Sequence, residues 1–191
     1  SVEIPLHEPM PCPHFRSFAL MREPFKRCLS HLIFEGIPEV IVLKWLRHKT
    51  PGTKSNFFMH GYSAVNNMVT RQLLGRARYL RPRPIDDKDF EQAKIQLDKF
   101  TAFVPLEFLR HEKVLALLNQ TVPEYYEGLI KNFWISNQRP LTNLTYSENV
   151  IHRIQEENKY DMMLYDYMLK KLGLDSKSTD RVPMKVSTIK S

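Results

Sequence analysis

The sequence predicts an α/β protein whose carboxyl-terminal half is largely helical. Two short apolar stretches, at 15–21 and 102–104, are each followed by a helical pattern, which is the order expected of parallel strands joined by helices. Most of the remaining chain also has helical periodicity. The 191 residues are 42% hydrophobic, enough to bury one core, and this excludes a wholly disordered or low-complexity chain.

The first strand, turn and helix are predicted from proline placement and apolar spacing. Four prolines within 1–14 indicate an extended lead-in, and the apolar run at 15–21 ends at Arg22. Pro24 suits the first turn of a helix, in which apolar residues recur every three or four positions until Gly36 ends it.

The other predicted elements are helices, apart from the second strand. They cover 38–47, 63–74, 87–99, 106–118, 145–157 and 160–172. Asp86 or Asp87 can cap the third of these helices, and Thr145 with Glu148 has the spacing of a capping box for the fifth.

Composition narrows the classes of function. Cys12 and Cys28 cannot form a disulfide framework and lack the spacing of a zinc site. No apolar run reaches the length of a membrane span, and Ser1 does not open a signal-peptide pattern, so we expect any targeting or anchoring segment outside this chain. We expect one domain over 1–174 and a disordered basic tail over 175–191.

The turn after the first strand is rich in cations. The amino terminus of a helix offers free N–H groups and the positive end of its dipole to an anion. Arg22 precedes the first turn and Lys26 and Arg27 lie within it, where each charge opposes the dipole by several tenths of a kcal/mol unless an anion is bound. Ser30 adds a hydroxyl, so Arg22 and Ser30 are predicted to bind one phosphate. The alternative is that these cations lie at the surface and pair with nearby glutamates.

The stretch FALMREPFKRCLSHL at 18–32 resembles the 3′-phosphate-binding strand, loop and helix of sulfotransferases that use 3′-phosphoadenosine 5′-phosphosulfate, especially the Golgi carbohydrate type. In that family the strand ends in Arg, followed by Pro two, Arg five and Ser eight residues later. Arg22, Pro24, Arg27 and Ser30 occupy these four positions. Two further segments resemble the family in the same order, NMVTRQLLG at 67–75 and NKYDMMLYDYM at 158–168.

The resemblance implies roles for individual residues. Arg22 and Ser30 would bind the 3′-phosphate of the nucleotide, with Arg27 in the same cofactor-binding motif. The family places a basic loop over the nucleotide where this chain has QRPLT, so Arg139 and Thr142 would also contact the cofactor.

The resemblance also implies a fold and a reaction. The fold would be the P-loop-like sulfotransferase fold, and the reaction would transfer a sulfuryl group from the nucleotide to a carbohydrate hydroxyl without a metal. The protein would lie in the Golgi lumen as part of a type II membrane protein, touching the membrane only through a segment outside this chain. The sequons at Asn119 and Asn143 are consistent with a luminal glycoprotein.

One part of the family pattern is not found. A 5′-phosphosulfate loop should precede the Arg22 motif, but only 21 residues do so here. The segment HKTPGTKSN at 48–56 has a similar composition but lies downstream, and we interpret it as a linker turn. The fold is therefore predicted to be incomplete, without its amino-terminal phosphosulfate-loop unit. The alternative function is a non-catalytic remnant that binds a nucleotide or a polyanion.

Sulfuryl transfer needs a base that accepts the proton of the acceptor hydroxyl. In carbohydrate sulfotransferases this base is a His or Glu, usually upstream of the 3′-phosphate motif, and His7 is the candidate here. Glu3 and Glu8 remain alternatives, and His7 could instead be an ordinary exposed side chain.

A strip of arginines follows the second motif, at Arg71, Arg76, Arg78, Arg81 and Arg83. We predict that the first three bind an anionic acceptor such as a glycosaminoglycan, through salt-sensitive contacts. The alternative is a solvated basic loop. A basic helical nucleic-acid-binding domain is a further alternative, but no aromatic residues interleave the strip in an RNA-binding pattern, so we expect no nucleic-acid partner.

Overall fold

A two-stranded parallel sheet lies within a largely helical structure. The computed structural model of the protein describes residues 18–49, 61–80, 83–121, 123 and 145–175. Strand β1 (Phe18–Met21) pairs with strand β2 (Ala102–Pro105), and Met21 lies opposite Pro105. The prediction of a largely helical α/β protein is confirmed for the described residues. Because the strands are parallel, their carboxyl ends meet at one edge of the sheet.

The helices carry most of the described residues. Helices α1 to α9 occupy Pro24–Phe34, Glu39–His48, Gly61–Val65, Met68–Leu73, Arg76–Leu80, Asp87–Asp98, Glu112–Thr121, Glu148–Glu157 and Lys159–Lys171, and a 3₁₀ turn occupies Leu106–Phe108. Within these described elements, no helix combines the length and apolar character needed to cross a membrane.

The structure breaks the helix that was predicted over 63–74. It ends at Val65 and restarts at Met68, and Asn67 between them has a left-handed backbone with φ of 45°. Asparagine tolerates this conformation, and here its side-chain oxygen accepts the N–H groups of Tyr160 and Asp161 at 2.9 and 3.1 Å. A contact between distant segments therefore decides the break.

The predicted helix caps have mixed outcomes. Asp86 caps α6 as predicted and forms a capping box with Asp89. Helix α8 instead begins after Ser147, not after Thr145. The hydroxyl and N–H of Ser147 both donate to the carboxylate of Glu39, so tertiary contacts replace the predicted local cap.

Two clusters of buried side chains form the core. The first packs the sheet against α4, α6, α7 and α9, with Val104, Phe108 and Leu164 at its centre. The second packs α1 against α2, α3 and α8 through Leu32 and Val42. The buried thiol of Cys28 lies in this second cluster and donates to the carbonyl of Ala64 at 3.5 Å. Helix α1 thus extends from the carboxyl edge of the sheet into the second cluster.

Tyr146 should make the protein less stable at alkaline pH. Its hydroxyl donates to the carbonyl of Ile37 at 2.6 Å, and burial, with smaller contributions from Cys28 and Glu39, raises the pKa of Tyr146 from 10.0 to about 12. The unfolded chain releases this proton first, so the stabilising contribution is complete below pH 10 and is lost as the pH rises towards 12. Urea unfolding at stepped pH should show this loss in the natural chain and a smaller one in Tyr146→Phe. The same alkaline slope in both proteins would contradict the assignment.

Candidate functional site

The candidate site lies at the carboxyl edge of the sheet. Arg22 and Glu23 follow β1 directly, and Glu107 lies two residues beyond β2 in the 3₁₀ turn. Because the two strands are parallel and in register, these charged residues are brought to the same edge. Helix α1 begins there at Pro24, so its amino terminus also faces this region.

The turn between β1 and α1 is held by two hydrogen bonds. The N–H of Glu23 donates to Glu107 Oε1 at 2.8 Å, and Glu23 Oε2 accepts the N–H of Lys26 at 3.3 Å. Glu23 is thus the side-chain cap of α1. The positive end of the helix is therefore capped by a carboxylate of the protein itself. Glu23 and Glu107 both lie near Arg22.

Arg22 is a cation that is partly removed from water. Its side chain is half-buried, and its Nε atom is buried without a hydrogen-bond partner among the described residues. Burial lowers the pKa of Arg22 from its ordinary value, Glu107 and Glu23 oppose this effect, and the neighbouring charge of Arg27 adds to it. An unpaired donor of this kind is costly, and a bound anion would remove the cost.

Arg27 is a second, largely buried cation near Arg22. Its side chain is only 12% exposed, and Nη2 is 3.9 Å from Asp161 Oδ2 on α9. Nη1 contacts the sulfur of Met68, while Nε and Nη2 have no hydrogen-bond partner within the described part of the chain. The structure therefore brings Arg22 and Arg27 close together but directs Arg27 towards a buried carboxylate, not towards a surface glutamate.

Ser30 is on the same side of α1 as Arg27. The two residues are three positions apart, which places them one above the other on a helix, and Ser30 is half-buried. Of the predicted set, Arg27 and Ser30 therefore share one side of α1, and Arg22 lies in the turn before it.

Asp161 connects α1 to two other helices. This fully buried carboxylate accepts the N–H groups of Val69 and Thr70 at 2.9 and 2.8 Å, and the Thr70 hydroxyl at 2.7 Å. Asn67, before α4, accepts in return from the first turn of α9. The two helices therefore cap each other, and Arg27 lies next to the shared carboxylate.

The structure places Arg71 in the core and not on the predicted surface strip. Its side chain is 0% exposed, and burial lowers its pKa to about 10. The guanidinium donates to the carbonyl oxygens of Asn66 and Arg83 at 2.9 Å each, and also to the Asn66 side chain and the Arg78 carbonyl. These partners lie before, within and after α5, so Arg71 holds this loop together and its role is structural.

The other arginines of the strip are not equivalent. Arg78 forms an ion pair with the largely buried Asp89. Burial opposes ionisation of Asp89, but the bonds from Arg78 and the Asp86 backbone prevail and hold the pKa of Asp89 below its ordinary value. Arg76 is exposed, and Arg83 is 62% exposed with Asp89 at 3.5 Å. Arg76 and Arg83 are thus the more accessible cations of the described strip.

Several predicted residues lie outside the part of the chain that the structure describes. They are His7, Glu3, Glu8, Arg81, Arg139, Thr142, Asn143 and Cys12, with most of the segment at 48–56 and the tail from 176. Their proposed roles remain predictions. Among the described residues, no group of three or more His, Cys, Asp and Glu side chains is arranged to hold a metal ion.

Sequence reasoning missed the roles of Glu107 and Asp161. Glu107 is 1% exposed, and the only sequence signal for it is a charged residue within the apolar segment VPLEFL, two positions after the strand. Asp161 falls within the third family-like segment, but its caps on α4 are more than 90 positions away in the sequence. No local pattern identifies such partners.

Comparison of the chain with protein-family models, curated proteins and solved structures finds no match. The functional argument therefore depends on the residues themselves and on the geometry around Arg22.

Proposed function

We propose that this chain is part of a sulfotransferase that moves a sulfuryl group from 3′-phosphoadenosine 5′-phosphosulfate to a carbohydrate hydroxyl. The described residues would form the 3′-phosphate-binding side of a P-loop-like sulfotransferase fold. The observation that carries the proposal is Arg22, a desolvated guanidinium whose Nε donor has no partner among the described residues and which lies where a parallel strand leads into the amino terminus of an 11-residue helix.

The nucleotide fits this edge of the sheet by charge. Arg22 Nε offers a donor to a phosphate, the Lys26 N–H would become a second donor once Glu23 Oε2 releases it, and Ser30 offers a hydroxyl farther along the helix. Arg27, next to Arg22, adds positive charge behind the site. The Glu23 carboxylate would have to yield its place at the helix terminus, since two anions there would repel each other.

The bound nucleotide supplies the activated sulfuryl group. The acceptor oxygen gains a bond to sulfur while the bond from sulfur to the bridging phosphate oxygen breaks, and 3′-phosphoadenosine 5′-phosphate leaves. His7 is the proposed base for the acceptor proton, and Arg139 and Thr142 are proposed to contact the nucleotide. Arg22 and Ser30 orient the nucleotide through its 3′-phosphate and do not touch the reacting bond.

The acceptor is proposed to be an anionic carbohydrate in the Golgi lumen. Arg76 and Arg83 are accessible for it, whereas Arg71 is enclosed in the core and Arg78 is engaged with Asp89. Contacts of exposed arginines with a polyanion are screened by salt, so acceptor binding should weaken as ionic strength rises.

A second candidate function is non-catalytic binding of the same nucleotide. It is favoured by the kind of groups found at this edge, because Arg22 and Ser30 are binding groups and the carboxylates of Glu107 and Asp161 are both taken up by internal hydrogen bonds. Transfer of labelled sulfate from the nucleotide to heparan or chondroitin acceptors would separate the two candidates.

Arg22→Ala should weaken binding of 3′-phosphoadenosine 5′-phosphate by about 10-fold to 100-fold, because a hydrogen bond between charged groups contributes about 1.5 to 3 kcal/mol. Calorimetric titration measures this, with adenosine 5′-phosphate as the ligand that lacks the 3′ group. Arg83→Ala is the matched control, since it removes an exposed arginine far along the chain and should leave nucleotide affinity unchanged.

Two results would overturn the assignment of the 3′-phosphate site. One is equal affinity of the natural chain for the two nucleotides. The other is equal loss of affinity in Arg22→Ala and Arg83→Ala, which would indicate general attraction to a basic surface. Salt-dependent RNA binding without nucleotide binding would instead support a nucleic-acid-binding protein.

A further inference from the structure

Glu107 is a buried carboxylate with both oxygens occupied. It is 1% exposed at the carboxyl end of β2. Oε1 accepts the N–H of Glu23 at 2.8 Å, and Oε2 accepts the hydroxyl of Tyr165 at 2.7 Å. One side chain therefore ties the β1–α1 turn to helix α9.

Tyr165 orients this carboxylate from the other side. It is 1% exposed on α9 and belongs to the core cluster that packs around the sheet. A carboxylate that accepts two hydrogen bonds in a buried position has little rotational freedom. The Glu23 N–H, at the amino end of α1, is thereby held at a set distance from the sheet.

Glu107 also compensates the charge of Arg22 but does not accept a hydrogen bond from Arg22 Nε. Its negative charge is the largest influence opposing the effect of burial on the Arg22 pKa, yet its oxygens bond to Glu23 and Tyr165. The Arg22 Nε atom stays without a partner among the described residues. The carboxylate can thus stabilise the buried cation while leaving that donor available to a ligand.

We propose that Glu107 and Tyr165 are a positioning pair for the 3′-phosphate site. They hold the β1–α1 turn in the conformation in which Arg22 is charged, desolvated and able to donate to an anion. Neither residue contacts the nucleotide. This inference rests on the proposed function for its consequence in binding, but the tie between the turn and α9 is a property of the protein alone.

The test compares Tyr165→Phe with Tyr167→Phe. Both variants remove one hydroxyl from the same helix, but Tyr167 donates to Asp98 at 2.8 Å in an exposed position, away from the turn. We expect Tyr165→Phe to bind 3′-phosphoadenosine 5′-phosphate roughly 10-fold more weakly, with unchanged affinity for adenosine 5′-phosphate. The variant removes a hydrogen bond to the charged Glu107, so the turn that carries Arg22 is held less firmly. Tyr167→Phe should bind both nucleotides as the natural chain does.

A double variant shows whether Tyr165 acts through Arg22. If it does, Tyr165→Phe should add little further loss of affinity in the Arg22→Ala background, since the interaction it supports is already gone. Additive losses would overturn the positioning role. So would natural affinity and natural 3′ selectivity in Tyr165→Phe.

Hydrogen exchange measures the tie without any ligand. The Glu23 amide should exchange faster in Tyr165→Phe than in the natural chain, and at the natural rate in Tyr167→Phe. If the natural chain shows no preference for the 3′-phosphate, the proposed function fails and the exchange rates alone decide the tie. Unchanged Glu23 exchange in Tyr165→Phe would overturn it.

Discussion

Asp161→Asn should lower the free energy of unfolding by about 3 to 5 kcal/mol, because it breaks a buried charged network from one side. The carboxylate is fully buried and accepts from the first turn of α4, at Val69 and Thr70, while Arg27 lies 3.9 Å away. An asparagine has one accepting oxygen, and its NH₂ group would face an N–H of α4. Two donors would then meet without water, and Arg27 would lose its nearest carboxylate.

Urea unfolding of the natural chain and of the variant measures this loss. The free energy of unfolding should fall with urea concentration at the same slope in both proteins. Asp166→Asn is the matched control, because Asp166 is exposed on the same helix and should change stability by less than about 0.5 kcal/mol. Similar small losses in both variants would mean that the reciprocal capping of α4 and α9 contributes little.

Arg71→Met should also destabilise the protein by about 3 to 5 kcal/mol, since it removes the donor of two buried Asn66 oxygens, at about 1 to 3 kcal/mol each, and of two partly buried carbonyl groups. Arg71 is enclosed, and its guanidinium is the shared partner of Asn66 and of the carbonyl groups of Arg78 and Arg83. Methionine fills much of the same volume, so the loss would come from hydrogen bonding and charge and not from a cavity.

Arg76→Met provides the comparison for Arg71→Met. Arg76 is exposed on α5 and should leave unfolding unchanged while weakening binding to a heparin column. The opposite pattern, a stable Arg71→Met protein that has lost heparin affinity, would show that Arg71 meets the acceptor as the sequence suggests. Thermal and urea unfolding beside salt elution distinguish the two patterns.

The local features of the fold could be predicted from the sequence. Strand β1, the start of α1 at Pro24 and the Asp86 cap all depend on residues within one or two turns of each other. Gly36 and Gly173, which end their helices, have the left-handed φ values of 65° and 62° that favour glycine there. Such signals act over short distances, so periodicity and caps are enough to locate them.

Only the tertiary structure decided which polar groups meet. Glu107 and Glu23 are 84 positions apart and Asp161 and Val69 are 92 apart, and chain spacing says nothing about such pairs. Arg71 is a further example. It lies in an arginine-rich segment and is therefore expected at the surface, but the folded chain places three carbonyl groups around its guanidinium. A buried charge is tolerated only where folding assembles its partners, and that assembly also sets Arg22 beside Glu107 at the edge of the sheet.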